Sequence, residues 1–303
     1  MTSELLARTR DPERERNAGR LLDASAKTSY DPVVHLDWEA PVPADRYYTP
    51  PHRNSLYGTR LWNGLSEPQR MELTKHELAS IASMGIWFET ILMQMLVRHA
   101  YDRDPTSNHI QYAYTEIGDE CRHSVMFARM IERIGAPYYR PTALTHLLGK
   151  VFKQISNGTM TFAGALFVEE ILDQLQREAM ADESLQPLVR GVSRVHVVEE
   201  ARHMRYARAS IPGEWSGLNR PQREWTRFVL ARVAYISATQ LVNENVYSRV
   251  GLDPKAARRV AEGNPYWRET RKWAARKVVA TFEEAGMIEG PGRRLWKRAG
   301  LVD

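Results

Sequence analysis

The sequence predicts an all-α fold. From about residue 67 onward, apolar residues recur at the three-to-four-residue spacing of helices, and glycine and proline residues interrupt the pattern at intervals. No alternating run of β-branched residues is long enough to predict a strand. We expect residues 67–303 to form a single helical domain. The predicted helices span residues 67–101, 105–134, 142–153, 158–180, 183–211, 218–250, 254–262 and 265–285.

Residues 1–66 lack this periodicity. The stretch HLDWEAPVPADRYYTPPHRNSLYGTRLWNGLSEPQR, which begins at His35, is rich in proline, glycine and aromatic residues. Its aromatic side chains need a surface against which to become buried, so we predict an extended N-terminal arm that packs on the helical domain. Ser66, followed by Glu67 and Pro68, is a typical helix start and marks the boundary. Such an arm could also pack on a neighbouring subunit, and we expect a homodimer.

The composition is that of an ordinary soluble globular protein, because 43% of the 303 residues are hydrophobic and 26% are charged. Cys121 is the sole cysteine, which excludes an internal disulfide framework and a cysteine-rich zinc or iron–sulfur site and fits a reducing cytoplasm. We find no signal sequence at the start. Without a glycine-rich fingerprint for dinucleotides or phosphates, a tightly bound flavin is not expected.

The net charge of +5 and the isoelectric point near 9.3 make a nucleic-acid-binding protein one alternative. Much of the basic excess lies toward the C-terminus, where arginine and lysine residues are interleaved with Trp267, Trp273 and Trp296. We favour a charged, solvated helix face with the tryptophans packed inward, and expect no nucleic-acid partner.

The run of residues 78–97 is apolar enough to raise the alternative of a transmembrane helix. Glu89 and Gln94 lie inside it, and a charge in the middle of a span costs about 2.5–3.5 kcal/mol on insertion scales. We therefore predict a buried core helix and no membrane partner.

Two stretches share one motif. In RVHVVEEARHMRYA, residues 194–207, His196, Glu200 and His203 fall within roughly 60° of one another on a helix. In TEIGDECRHSVMFA, residues 115–128, Glu120 and His123 repeat the Glu-x-x-His spacing, so the pattern acid-Glu-x-Arg-His occurs twice. One Glu-x-x-His from each of two helices, with one glutamate from each of two others, is the ligand set of four-helix carboxylate di-metal proteins.

The two further glutamates belong in the helices predicted at 67–101 and 158–180. Glu89 is the sole ionisable residue in SMGIWFETILMQML, so in an apolar core it needs a counter-charge. That counter-charge is a divalent metal or, alternatively, one of the arginines. In AGALFVEEILDQLQREA, Glu169 lies nearer than Glu170 to the apolar stripe, so we prefer Glu169 as the ligand and keep Glu170 as the alternative.

The predicted metal ligands are thus four glutamates and three histidines. Four carboxylates neutralise two divalent ions in a low-dielectric core, and hard oxygen ligands with imidazoles suit iron or manganese. His196 is the odd member, because Glu116 takes the corresponding place before Glu120; His196 is either a third imidazole ligand or a histidine outside the ligand set. The full set is Glu89, Glu120, His123, Glu169, His196, Glu200 and His203.

Two acids and two arginines lie beside the predicted ligands. Asp119 and Glu199 immediately precede the ligand glutamates of the two motifs. We predict that they accept hydrogen bonds from N–H groups of the ligand histidines and so fix the ring orientations. Arg122 and Arg202 are expected to pair with these acids; the alternative is that both arginines are exposed.

These motifs resemble the AurF-like family of p-aminobenzoate N-oxygenases, which are non-haem di-iron proteins. The resemblance covers roughly residues 45–250 and rests on Glu89, DECRH (119–123), FVEEILD (167–173) and HVVEEARH (196–203). It implies a ferritin-like or ribonucleotide-reductase-like helical bundle with extra helices, in which His196 is a third histidine ligand. It also implies two iron ions, dioxygen, an external electron donor such as a reductase, and no tightly bound haem or flavin.

The activity that the resemblance implies is N-oxygenation of an arylamine to hydroxylamine, nitroso and nitro products within a biosynthetic pathway. No arginine or lysine lies between Glu77 and Val97, so the helix that carries Glu89 offers no cation to a substrate carboxylate. A di-iron C–H hydroxylase or desaturase is an alternative within the same class. A ferroxidase or metal-storage bundle is a further alternative, although the long arm and extra helices favour a substrate enclosure.

Overall fold

A computed structural model describes residues 11–303. These residues form twelve α-helices and three short 3₁₀ helices (Pro51–Arg53, Glu244–Val250 and Gly290–Gly292), with no β-strand among them, so the all-α prediction is confirmed. The α-helices are α1 Pro12–Lys27, α2 Pro32–His35, α3 Arg60–Gly64, α4 Glu67–Tyr101, α5 Asn108–Arg133, α6 Ala143–Ile155, α7 Gly158–Ala181, α8 Pro187–Ser216, α9 Arg220–Gln240, α10 Pro254–Gly263, α11 Pro265–Glu284 and α12 Arg293–Arg298.

Four long helices form the central bundle. Helix α4 packs on α5 and α7 packs on α8, while contacts of α5 with α8 and of α4 with α7 close the ring. Helices α9 and α11 cover the outer side of α7, and α1 lies against α5 and α8. The arrangement has the ferritin-like form expected of a di-metal bundle, with extra helices added around it.

Helix α4 is the longest element, with 35 residues. Ser66 begins it with a capping box, in which Gln69 Oε1 accepts from the Ser66 amide at 3.0 Å, and Pro68 stands in the first turn. By length and composition alone, α4 could cross a membrane, but 56% of its most apolar window is buried inside the protein. The core helix of a helical bundle meets the same criteria of length and composition, so the length of α4 is weak evidence for a membrane span.

The predicted extended arm is wrong for residues 12–27, which form α1. Asp11 caps this helix by accepting from the amide of Glu13 at 2.9 Å, and Pro12 occupies its first position. Only Ala18, Leu21 and Ser25 are buried, so the inward stripe is narrow and poor in large apolar residues, and its periodicity is weak. Residues 1–10 of the predicted arm lie outside the described residues.

Two predicted helix ends differ from the structure by five residues or more. Helix α8 does not stop before Pro212 but continues to Ser216. The proline lacks only its own backbone N–H donor, and the residues after it stay helical. The helix predicted at 218–250 ends instead at Gln240, and a 3₁₀ segment follows. There Asn243 accepts from the amide of Asn245 at 3.0 Å, and its own amide donates to Ser80 Oγ at 2.8 Å.

The basic C-terminal helices turn their tryptophans toward the protein, as expected. Trp267 and Trp296 are buried, and Arg53 from the N-terminal segment covers the ring of Trp273 at 3.6 Å. The interleaving of aromatic and basic residues therefore reflects packing on α7 and α9.

Candidate metal centre

The four bundle helices bring all seven predicted ligands together in the interior. Glu89 comes from α4, Glu120 and His123 from α5, Glu169 from α7, and the remaining three from α8; none is more than 3% exposed. Their ligand atoms form three overlapping groups, each with all atoms within 4.8 Å: Glu120, His123, Glu200 and His203; Glu89, His123 and His196; and Glu169, His196 and Glu200.

The two Glu-x-x-His motifs face each other at the middle of this cluster. Nδ1 of His123 lies 3.2 Å from Glu120 Oε2 and 3.2 Å from Glu200 Oε1. Nδ1 of His203 lies 3.0 Å from Glu200 Oε1 and 3.2 Å from Glu120 Oε1. Both rings therefore direct Nδ1 inward, and the carboxylates of Glu120 and Glu200 lie between them.

The outward ring nitrogens meet the two acids that the sequence placed beside the ligands. Nε2 of His123 lies 2.8 Å from Glu199 Oε2, and Nε2 of His203 lies 3.1 Å from Asp119 Oδ2. Each acid lies on the helix opposite its histidine, so the two contacts cross between α5 and α8. A carboxylate in this position keeps a proton on Nε2 and leaves Nδ1 free as a metal ligand.

The two arginines contact these acids, and neither is fully exposed. Arg122 pairs with Asp119. Arg202, which is 8% exposed, lies 3.5 Å from Glu199 Oε1 and 3.9 Å from Asp119 Oδ2. The backbone amide of Tyr30, just after α1, also donates to Glu199 Oε1 at 3.0 Å. The N-terminal segment thus helps to position Glu199, which in turn orients the ring of His123.

His196 points its Nε2 into the cluster, 3.5 Å from Glu200 Oε1 and 3.8 Å from Glu89 Oε1, and this atom has no hydrogen-bond partner. Its Nδ1 lies 2.6 Å from Gln176 Oε1, so the glutamine fixes the ring as the acids fix the other two. Gln176 was not among the predicted site residues, although it stands two helical turns after Glu169 on the same side of α7.

The structure separates Glu169 from Glu170. Both are buried, but only Glu169 belongs to the cluster, where its Oε2 lacks a hydrogen-bond partner. Glu170 instead forms an ion pair with Arg208 of α8. The preference for Glu169 from the helical wheel agrees with this geometry, and its role as a ligand stays a prediction.

Two further side chains near the centre, the half-buried Ser124 and the buried Glu116, were not among the predicted ligands. Ser124 Oγ donates to Glu89 Oε2 at 2.6 Å. Glu116, one turn before Glu120, is 2% exposed, its Oε2 has no partner, and burial raises its pKa well above the ordinary value. Glu116 holds on α5 the place that His196 holds on α8, which was a usable signal in the sequence.

The buried carboxylates and imidazoles of the cluster shift one another's pKa values. Burial raises the pKa of Glu89, and burial together with the charges of Glu200 and Glu120 raises that of Glu169 far above its ordinary value. Burial alone would lower the pKa of His123, but hydrogen bonds to the surrounding carboxylates raise it well above its usual range. The pocket therefore attracts positive charge strongly.

The donor set fits two divalent cations. Buried acceptors without partners are rare in proteins and are costly, yet several meet here and all point at the same space. Four carboxylates match the charge of two divalent ions, and oxygen with imidazole nitrogen suits iron or manganese. The unpartnered ligand atoms are Glu89 Oε1, Glu120 Oε1, Glu169 Oε2, Glu200 Oε2 and His196 Nε2.

Comparison with known proteins agrees with this centre. The family model for p-aminobenzoate N-oxygenase AurF matches residues 11–286. The chain belongs to the AurF family. Its relatives include uncharacterized proteins of Mycobacterium bovis and of two strains of Mycobacterium tuberculosis, each 24% identical over 291 residues, which cover 91% of this chain and 84% of the relative.

Membership of the AurF family extends the resemblance on both sides of the 45–250 core and includes α1. AurF proteins are di-iron oxygenases, and the buried glutamate–histidine cluster is compatible with that class. The names of the mycobacterial relatives specify no substrate.

Proposed function

We propose that this AurF-family protein is a di-iron monooxygenase that N-oxygenates a small arylamine through hydroxylamine and nitroso stages to the nitro compound. The observation that carries the proposal is the third imidazole, since Nε2 of His196 faces Glu89 and Glu200 in a centre that already has two Glu-x-x-His motifs. A four-carboxylate, two-histidine centre of a storage bundle needs no such residue.

The chain would hold the two ions through its seven inward ligands, and iron bound there would supply the activation of dioxygen. Asp119 and Glu199 keep a proton on the outer nitrogen of each histidine and so fix which nitrogen faces inward. The complete burial of Glu120, His123 and Glu200 excludes bulk water, which protects a reactive centre from side reactions.

Further partners follow from this chemistry. Conversion of the amine to the hydroxylamine uses one oxygen atom of dioxygen, and reduction of the other atom to water requires two electrons and two protons, so we propose an external reductant or reductase. We also propose a cytoplasmic location, because the chain has a single cysteine. We also propose a homodimer. The exposure of Leu144 at 65% and Leu147 at 56% on α6 supports an interface at that helix, because large exposed apolar residues in a patch favour association. Light scattering tests this, and a monomeric mass at micromolar concentration would contradict it.

The decisive experiment supplies iron-loaded, reduced protein with isotopically labelled dioxygen and a panel of arylamines. We expect labelled hydroxylamine, nitroso and nitro products by mass spectrometry, and none with the Glu120→Ala variant. Ring or alkyl hydroxylation of the same compounds would favour the C–H oxygenase alternative. Iron oxidation with no organic product would favour a ferroxidase. Either result would overturn the proposal.

A further inference from the structure

An elongated cavity of about 60 Å³ lies beside the metal cluster, bounded by α4, α5, α7, α8 and the N-terminal segment. Along α4 its wall runs from Glu77 to Gly85, which spans roughly 12 Å at the rise of a helix. One water needs about 10–15 Å³ by such a measure, so the cavity accommodates a small molecule of about one ring. Its walls are mainly aliphatic and aromatic, as in small-molecule sites generally.

The inner end of the cavity is lined by residues that contact the candidate ligand His196. Gln176 lines the cavity and contacts Nδ1 of His196 at 2.6 Å. Phe127 also lines it, and its ring centroid lies 4.9 Å from that of His196. Gly85 and Leu172, one turn from Glu89 and Glu169, complete this end. A molecule in the cavity is therefore separated from the candidate ligand His196 by one layer of side chains, that of Gln176 and Phe127.

The charged side chains of the cavity wall are already satisfied by the protein. Among residues 11–303 the wall has one basic side chain, Arg53, whose Nε and Nη2 bond Glu178 at 2.7 and 3.3 Å while its guanidinium covers Trp273. Glu77, the acid of the wall, accepts from the amide of Ser55 at 3.1 Å and from its hydroxyl. A ligand carboxylate entering here would lose its hydration and meet no free cation.

Gln176 is the uncharged polar group at the inner end. Because its Oε1 is engaged by His196, its amide N–H₂ group is the part that can face an occupant of the cavity. An amide donor at the end of an apolar cavity matches the lone pair of an uncharged amine nitrogen.

We propose that this cavity binds the substrate of the oxygenase and selects an uncharged arylamine over one that carries a carboxylate, with Gln176 as the polar contact for the amine. The inference rests on the proposed function for the reaction. The selectivity itself comes from the pairing of Arg53 with Glu178 and from the apolar walls.

Binding to metal-free protein tests the selectivity separately from turnover. We would titrate chelator-treated protein with aniline and with 4-aminobenzoate by calorimetry at slightly alkaline pH, where only the second compound is charged. Aniline should bind at least about tenfold more tightly. Equal or tighter binding of 4-aminobenzoate would overturn the inference. Selective binding without any N-oxygenated product would leave the inference standing and refute the proposed function.

Two variants locate the site. Ala82→Leu adds bulk to the cavity wall and should weaken aniline binding about tenfold or more, while Ala128→Leu, the same change at an exposed position of α5, should not. Glu178→Gln frees the charge of Arg53 and should strengthen 4-aminobenzoate binding several-fold with no change for aniline. Wild-type affinities in both Ala82→Leu and Glu178→Gln would place binding elsewhere. If Ala82→Leu fails to fold, Glu178→Gln alone decides, because it changes a side chain outside the cavity wall.

Discussion

His123 and Glu199 contact each other across the bundle, with 2.8 Å between Nε2 of the histidine on α5 and Oε2 of the acid on α8. The contact of His203 with Asp119, at 3.1 Å, runs in the opposite direction between the same helices. Each helix thus supplies the histidine of one Glu-x-x-His motif and the acid that fixes the histidine of the other motif. The relative position of the two histidine rings therefore depends on the packing of α5 against α8.

Asp119→Asn and Glu199→Gln should keep the fold but weaken iron binding. Each change removes the charge that holds the histidine proton on Nε2, and loss of such partners typically costs 10–100-fold in metal affinity or activity. Iron affinity is measured by competition with a chelator, and circular dichroism checks the fold. Wild-type affinity in both variants would show that these acids serve only as charge partners of Arg122 and Arg202.

Glu169→Gln should remove a large part of the bound iron, while Glu170→Gln should leave about two irons per chain. The first side chain faces the cluster, whereas the second pairs with Arg208. The matched control keeps volume and helix position nearly constant, so iron content by elemental analysis isolates the role of each carboxylate. Normal iron in Glu169→Gln with loss in Glu170→Gln would reverse the assignment.

Helical periodicity predicts a helix well where the buried apolar stripe is broad, and poorly where that stripe is narrow. Helix α4 begins at Glu67 and ends at Tyr101, as predicted, because a capping box and a long apolar run define both ends. Helix α1 escaped prediction because its inner side consists of Ala18, Leu21 and Ser25, and its stability depends on tertiary contacts with α5 and α8.

The candidate ligands could be predicted because each sits on a helix whose period is readable. Spacing alone related Glu120 to His123 and Glu200 to His203. Gln176 could not be assigned in this way, because its contact with His196 joins α7 to α8 and depends on how those helices pack. The pairing of Arg53 with Glu178 joins the N-terminal segment to α7. It likewise cannot be predicted from the local sequence pattern, because the two residues are far apart in the chain.

Glu15 of α1 should contribute to stability through the start of α5. Its carboxylate accepts from Ser107 Oγ at 2.6 Å and from the amide of Asn108 at 2.8 Å, so it satisfies a free N–H at the beginning of that helix. We expect Glu15→Ala to lower the free energy of unfolding by about 1–2 kcal/mol in urea titrations. Glu13→Ala, at an exposed position of the same turn, is the control and should change it little. Equal effects would mean that α1 adds nothing through this contact.

Glu77 should make the stability of the metal-free protein depend on pH. Burial raises the pKa of this carboxyl from 4.5 to about 7. The folded state therefore holds the proton more tightly, and the associated stability is complete below pH 4.5 and is lost as the pH rises through about 7. The shift of this pKa from 4.5 to about 7 corresponds to about 3 kcal/mol in the free energy of unfolding. Glu77→Gln should remove it, so the stability of wild type relative to the variant should fall between about pH 4 and pH 8 in urea titrations. A constant difference would contradict the shift.

His196 distinguishes this centre from a storage bundle, and its removal should affect oxygen transfer more than iron loading. In His196→Ala, Glu89, Glu120, Glu169 and Glu200 still provide four negative charges for two divalent ions, so about two irons per chain should remain. The lost ligand changes one coordination position, and consequently the fraction of consumed oxygen that appears in product should fall sharply. Added imidazole should restore part of it by entering the space of the missing ring, whereas a purely structural role predicts no such rescue. Iron content, oxygen consumption and product are measured on the same sample. Full coupling in His196→Ala would show that this histidine is no ligand and would leave only the two Glu-x-x-His motifs at the centre.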